Sequence, residues 1–179
     1  MSRILNAFRA WLPFAVVVTA LCLLAYVMVQ QTLRQGANDP QIQMAEDAAA
    51  ALNRGASVDS VLPKDQVNLS SSLAPFLVVY DAKGTPVAAS GLLDGSAPDY
   101  PVGALEAARQ SGENRVTWQP EAAIRIASVA VPYKDGYVVA GRNLREVEKR
   151  VAQIETMAAL AWVATLAAVF AVIAVFSYL

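Results

Sequence analysis

Four side chains in the middle of this chain, Tyr100, Trp118, Arg125 and Tyr133, have the chemistry of molecular recognition. A guanidinium can hold a carboxylate through two parallel N–H···O bonds, and aromatic faces wall off the apolar part of a ligand. Together they suit a small anionic or zwitterionic molecule. Each also fits a plainer role: Trp118 as a core aromatic, Arg125 as a surface charge on an edge strand, Tyr100 and Tyr133 as half-buried turn residues.

Catalysis finds less support in the residue types. The chain has no histidine, which excludes His-based triads, His metal sites and the phospho-accepting histidine of a sensor kinase. Ser70, Ser71 and Ser72 have no base to activate them, and Lys64 and Lys83 both fall in turns. With no catalytic constellation in view, the expectation is a protein that is not an enzyme and needs no cofactor or metal.

The elements that must position these residues lie between two apolar runs. Residues 10–33 and 156–179 each extend for 24 residues without a charged side chain. At about 1.5 Å per helical residue each reaches roughly 36 Å, enough to cross a hydrocarbon core of about 30 Å. Apolar residues make up 56% of the chain, and these two runs hold the excess over a soluble domain. Arg3 and Arg9 with no acid in residues 1–9 predict a cytoplasmic N-terminus, hence a cytoplasmic C-terminus and a segment 34–155 outside the membrane. The first run is too long for a cleaved signal and is not followed by a small-x-small site, so an uncleaved anchor is expected. That outer segment is mildly acidic and has no basic stripe, which sets nucleic acid aside. The one cysteine, Cys22, lies within the first run and can form no intrachain disulfide.

Between the runs the pattern is of the α+β class. Asn38-Asp-Pro40 reads as a helix start, Ile42, Ala45, Ala49 and Leu52 recur at helical spacing, and Gly55 offers a stop. Residues 56–74 read as loop with a short helical turn, and residues 91–101 as loop. A hairpin is predicted from residues 75–81 and 85–90 around Ala82-Lys-Gly84, then a short helix over 102–111 closed by Gly112. Strands over 115–119, 123–131 and 137–140 follow, with Lys134-Asp-Gly136 turning between the last two. The final helix carries Leu144, Val147, Val151 and Ile154 as a short coiled-coil seam that suits either self-pairing or packing on the chain's own elements. It runs without a break into the second apolar stretch, where Ala161, Ala164, Ala168 and Ala171 allow another helix to approach closely.

The element order, the hairpin Phe76-Leu-Val-Val-Tyr-Asp-Ala-Lys-Gly-Thr-Pro-Val-Ala-Ala-Ser90 and the closing Tyr133-Lys-Asp-Gly-Tyr-Val-Val-Ala-Gly141 into a helix resemble a Cache domain. These are the PAS-like extracytoplasmic sensor modules of two-span bacterial receptors. The resemblance covers roughly residues 30–154. It implies an antiparallel sheet with long terminal helices in the bacterial cytoplasmic (inner) membrane. It also implies a small-molecule pocket on the sheet face, which makes Tyr100, Trp118, Arg125 and Tyr133 the ligand-binding candidates. The family's amino-acid-binding pattern is not found, so ligand class is not inherited. The expected function is a sensory domain that binds a small molecule and signals through its membrane helices to a homodimer mate or a membrane partner such as a kinase or receptor. The family's usual cytoplasmic output region is not found after residue 179, which suggests an accessory or split sensor, or the N-terminal part of a longer kinase. The alternative is a non-sensing scaffold or assembly subunit that uses the same fold for docking.

Overall fold

The computed structural model describes residues 2–36 and 39–178. In chain order the elements are α1 (Ser2–Gly36), α2 (Asp39–Asn53), α3 (Val58–Val61), β1 (Val67–Asn68), β2 (Phe76–Asp81), β3 (Pro86–Ala89), β4 (Gly91–Leu92), α4 (Val102–Ser111), β5 (Asn114–Glu121), β6 (Ile124–Tyr133), β7 (Gly136–Asn143) and α5 (Arg145–Tyr178). They divide into two compact units, one of α1 with α5 from residue 149 onward, the other of residues 35–148. Residue 38 and the side chain of Asp39, where a helix cap is expected, lie outside the described residues.

In the larger unit five strands form an antiparallel sheet in the order β3-β2-β7-β6-β5. The first hairpin, β2–β3, is therefore joined to the last strand. Alternation sends Phe76, Val78 and Tyr80 of β2 and Tyr137 and Val139 of β7 into one buried cluster with Leu105 and Ala108 of α4. Leu77, Val79, Val138 and Ala140 point the other way, against Ala45, Ala48 and Ala49 of α2. Both faces being covered, the central strands read as unbroken apolar runs rather than as the alternation of a half-wet sheet. The predicted hairpin, the helix over 102–111 and the three later strands are all present. Gly112 closes α4 in the left-handed region, φ 87°, with its N–H on the Ala108 carbonyl. Gly55, just past α2, also has positive φ, 93°.

Sequence patterning missed one element. Within the two expected loops, β1 and β4 pair in parallel over two residues each, Val67 with Gly91 and Asn68 with Leu92. This small ribbon packs Val67 and Leu69 onto the α4 side of the sheet.

In the smaller unit α1 and α5 are each long and apolar enough to cross a membrane. α5 is one uninterrupted helix of 34 residues, about 51 Å long. On α1 two small residues, Ala7 and Ala15, are buried. The stripe Ala161, Ala164, Ala168 and Ala171 of α5 is exposed instead.

Gly141 and Gly103 give opposite tests of this packing. A Cβ at Gly141 would lie 2.5 Å from Cζ of Phe76 and 2.9 Å from Cγ2 of Ile126, while one at Gly103 meets nothing within 4 Å. Gly141→Ala is expected to cost about 3 kcal/mol or more by overpacking. Gly103→Ala, on the exposed side of α4, should gain about 0.5 kcal/mol from helix propensity. Chemical denaturation of the detergent-solubilised chain, followed by tryptophan fluorescence, measures both.

Candidate functional site

The four residues singled out by recognition chemistry do not converge. Trp118, only 7% exposed, belongs to the cluster on the α4 side with Tyr100 and Tyr80. Tyr100 stands edge-on to Trp118 with ring centroids 5.2 Å apart, and 6.1 Å from Tyr80. The Ser128 hydroxyl donates to the Val116 carbonyl (3.0 Å), so its oxygen is left to accept from the Tyr100 hydroxyl at 2.9 Å. Tyr80 donates to the Pro98 carbonyl at 2.7 Å. Burial pushes the hydroxyl pKa of both tyrosines up, and for Tyr80 the neighbouring Tyr100 and Asp99 push the same way. These are neutral phenols locked inside a packed aromatic group.

Arg125 and Tyr133 belong to the opposite side of the sheet. Arg125, its side chain 52% exposed, pairs with Glu148 at 2.6 Å. Tyr133 packs at the margin of the α2 cluster, and its hydroxyl pKa is raised, first by partial burial and then by Asp135 and Asp81. The cause of the separation is a register shift in the β5–β6 hairpin. Near the turn Glu121 pairs with Ile124, but beyond an irregularity Trp118 pairs with Ile126. Without that shift Trp118 would face Ala127, two residues from Arg125 and on its side. One extra residue turns the indole to the other face.

Residues absent from the sequence-based set form a polar cleft in the larger unit. It has a volume of about 380 Å³ and lies between the β2–β3 turn, α4 and the start of β7. Lys83 and Gly84 come from the turn, Glu106, Arg109 and Gln110 from α4, and Tyr137 from β7, over a floor that includes Leu105. Arg109 and Glu106, three residues apart, share one helix face. The Arg109 guanidinium carbon lies 5.2 Å from the centroid of the Tyr137 ring, a cation–π stack. Asp81 shapes the turn by accepting the N–H groups of Lys83 and Thr85, both at 2.8 Å, and Gly84 adopts φ 83° against Leu105. The D-x-x-G turn in the sequence marks this geometry, but nothing local shows that α4 folds over it.

Chemically the cleft offers two cations, one carboxylate, an amide and an apolar floor. That set can hold a small molecule with a carboxylate or phosphate at one end and a hydrogen-bonding group at the other. Among the described residues no cluster of His, Cys, Asp or Glu could hold a metal ion. Comparison with models of known protein families and with curated proteins finds no match.

The Thr85 and Lys83 amides hold the Asp81 carboxyl below its usual value near 3.8. A carboxyl pKa depressed by folding adds stability above the unfolded value, and this is lost as pH falls through the folded one. Asp81→Ala should therefore melt at a lower temperature than wild type at pH 7. The gap should close progressively as the pH is taken below about 4, which thermal denaturation across a pH series will read.

Proposed function

We propose that this chain is a membrane-anchored sensory domain of the Cache-like, PAS-like type, extracytoplasmic in a bacterial inner membrane. In this reading it binds a small anionic or zwitterionic molecule in the cleft of Lys83, Glu106, Arg109, Gln110 and Tyr137, and relays the change through its membrane helices to a partner. The observation that carries the reading is the course of one strand. β7 supplies Tyr137 to the cleft and ends at Asn143, and α5, the second apolar helix, starts at Arg145. A ligand that draws Arg109 off the Tyr137 ring acts on the strand from which the helix grows. The order of the elements that build and cover the five-stranded sheet, α2, the β2–β3 hairpin, α4, β5 to β7 and α5, supports the family reading, and the two long apolar helices support the two-span arrangement.

A ligand that binds only the folded state raises its stability, by about 2.7 kcal/mol at a hundredfold excess over Kd. A thermal-shift screen of amino acids, dicarboxylates and phosphorylated metabolites on the detergent-solubilised chain is expected to find a compound that raises Tm. Arg109→Ala should abolish that shift and Arg125→Ala should leave it intact. A shift lost in Arg125→Ala but kept in Arg109→Ala would move the site to the other face.

One observation favours the second reading, a docking or assembly subunit without a ligand: Trp118 and Tyr100 fill the core, and Arg125 is tied to Glu148. That reading gives no shift with any compound and a membrane protein that co-purifies in mild detergent. For the arrangement in the membrane, Lys83→Cys in a Cys22→Ser background should react with a membrane-impermeant maleimide in intact spheroplasts. Labelling only after lysis would place the domain inside the cell.

A further inference from the structure

The charges on α1 and α5 fall at levels that do not match. Trp11 Nε1 donates to the Leu166 carbonyl and Trp162 Nε1 to Thr19 Oγ1, each at 3.0 Å. The helices therefore run antiparallel with Thr19 level with Trp162. One step of about seven residues outward on both brings Tyr26 level with Glu155. These two line a single groove of about 290 Å³ with Thr19, Cys22, Leu23 and Trp162. On α1 the apolar residues continue to Val29, about 5 Å beyond Tyr26, and the uncharged run, now with Gln30, Gln31 and Thr32, to Leu33. A bilayer that covers the uncharged run of α1 therefore also covers the Glu155 carboxylate. At the other end Arg9 has a long stem that can reach back to the interface, whereas glutamate has a short one.

A carboxylate at that depth is costly unless it meets a cation, hydrogen-bond donors or water, and of these a cation compensates its charge most fully. Its neighbours one turn away on α5 are Val151, Ala152, Ala158 and Ala159, and α1 is uncharged from residue 10 to 33. Among the described residues Glu155 is in neither of the ion pairs formed. The groove around it is apolar and aromatic, and the side chain itself is exposed.

We infer that this groove docks a transmembrane helix of a partner protein that carries a lysine or arginine at the depth of Glu155. The helix lays its apolar side chains along Leu23 and Trp162 and sets its cation on the carboxylate. The inference rests on reading α1 and α5 as membrane spans, and it names the kind of partner that would receive the proposed signal. The exposed alanine stripe of α5 plays no part in it.

The test uses the full chain reconstituted in phosphatidylcholine vesicles and first washed at alkaline pH. The probe is a model transmembrane peptide of leucine and alanine with one lysine at the depth of Glu155, compared with the same peptide carrying glutamine there. By energy transfer between labelled peptide and protein, the lysine peptide should associate about tenfold more tightly. Glu155→Gln should erase that preference, Glu155→Asp should keep most of it, and Ala158→Leu, which fills the groove, should weaken the lysine peptide specifically. Equal association of the two peptides, or a preference that survives Glu155→Gln, overturns the inference while leaving the spans in place. Glu155-dependent binding of dodecylamine without binding of the lysine peptide also overturns it, in favour of a site for a cationic amphiphile. Extraction of the protein by the alkaline wash overturns the membrane reading itself.

Discussion

The pairing of β2 with β7 is the constraint on which the rest of the larger unit depends. Six consecutive pairs, from Phe76 with Gly141 to Asp81 with Gly136, join strands that are far apart in the chain. No turn helps to bring them together, so their stability comes from burial on both faces. Phe76 shows how closely the two are fitted: its ring takes the space that side chains at Gly91 and Gly141 would need. Once this pair is set, β3 adds to one side by its short turn and β6 and β5 to the other. α2 and α4 then cover the two faces.

The same pair fixes the root of α5. The Asn143 side chain accepts the Arg145 N–H at 2.9 Å and donates to the Leu69 carbonyl at 3.0 Å. Arg142 and Arg145 reach the carbonyls of Leu73 and Ser71 at 3.0 and 3.1 Å, and the Leu144 N–H goes to the Arg125 carbonyl. The segment 69–73 and strand β6 thus hold the strand-to-helix junction from two sides. A flexible linker at this point would absorb a displacement of β7. A junction held by this many hydrogen bonds moves only when several break together. Arg125, singled out for its recognition chemistry, contributes at this junction through its carbonyl and, weakly, through its exposed pair with Glu148.

How much could be read from the sequence follows from which interactions are local. The D-x-x-G turn, the glycine after α4 and the apolar runs of β2 and β7 are set by residues within a few positions of one another, and those elements stand where the patterns put them. The β1–β4 ribbon has two residues per strand and so no periodicity to detect. The candidate site depended on something less local still. Trp118 and Arg125 lie on adjacent strands of one hairpin, and whether they share a face turns on the register shift between Trp118 and Glu121. Pro120 in the stretch Gln119-Pro-Glu-Ala122 fits a bulge, an edge strand or a strand end equally, so composition does not fix the register there. The cleft around Arg109 was invisible for a different reason, because it exists only where α4 folds back over the hairpin turn.

Polar side chains inside the sheet domain and those at its margins differ in how far the chain itself satisfies them. Inside the sheet domain the phenols of Tyr80 and Tyr100, the Ser128 and Ser90 hydroxyls and the Asn143 amide all have partners in the chain itself. Among the described residues Glu113 Oε2 is the one buried side-chain atom without a partner, and Glu113 pairs with Arg115 through its other oxygen. The polar groups that the proposed recognition uses stand at the margins of the fold: Lys83 and Glu106 at the rim of the cleft, and Glu155 in the groove of the helix pair. The first two rest on elements fixed by the β2–β7 pair, and α5, which carries the third, grows out of β7.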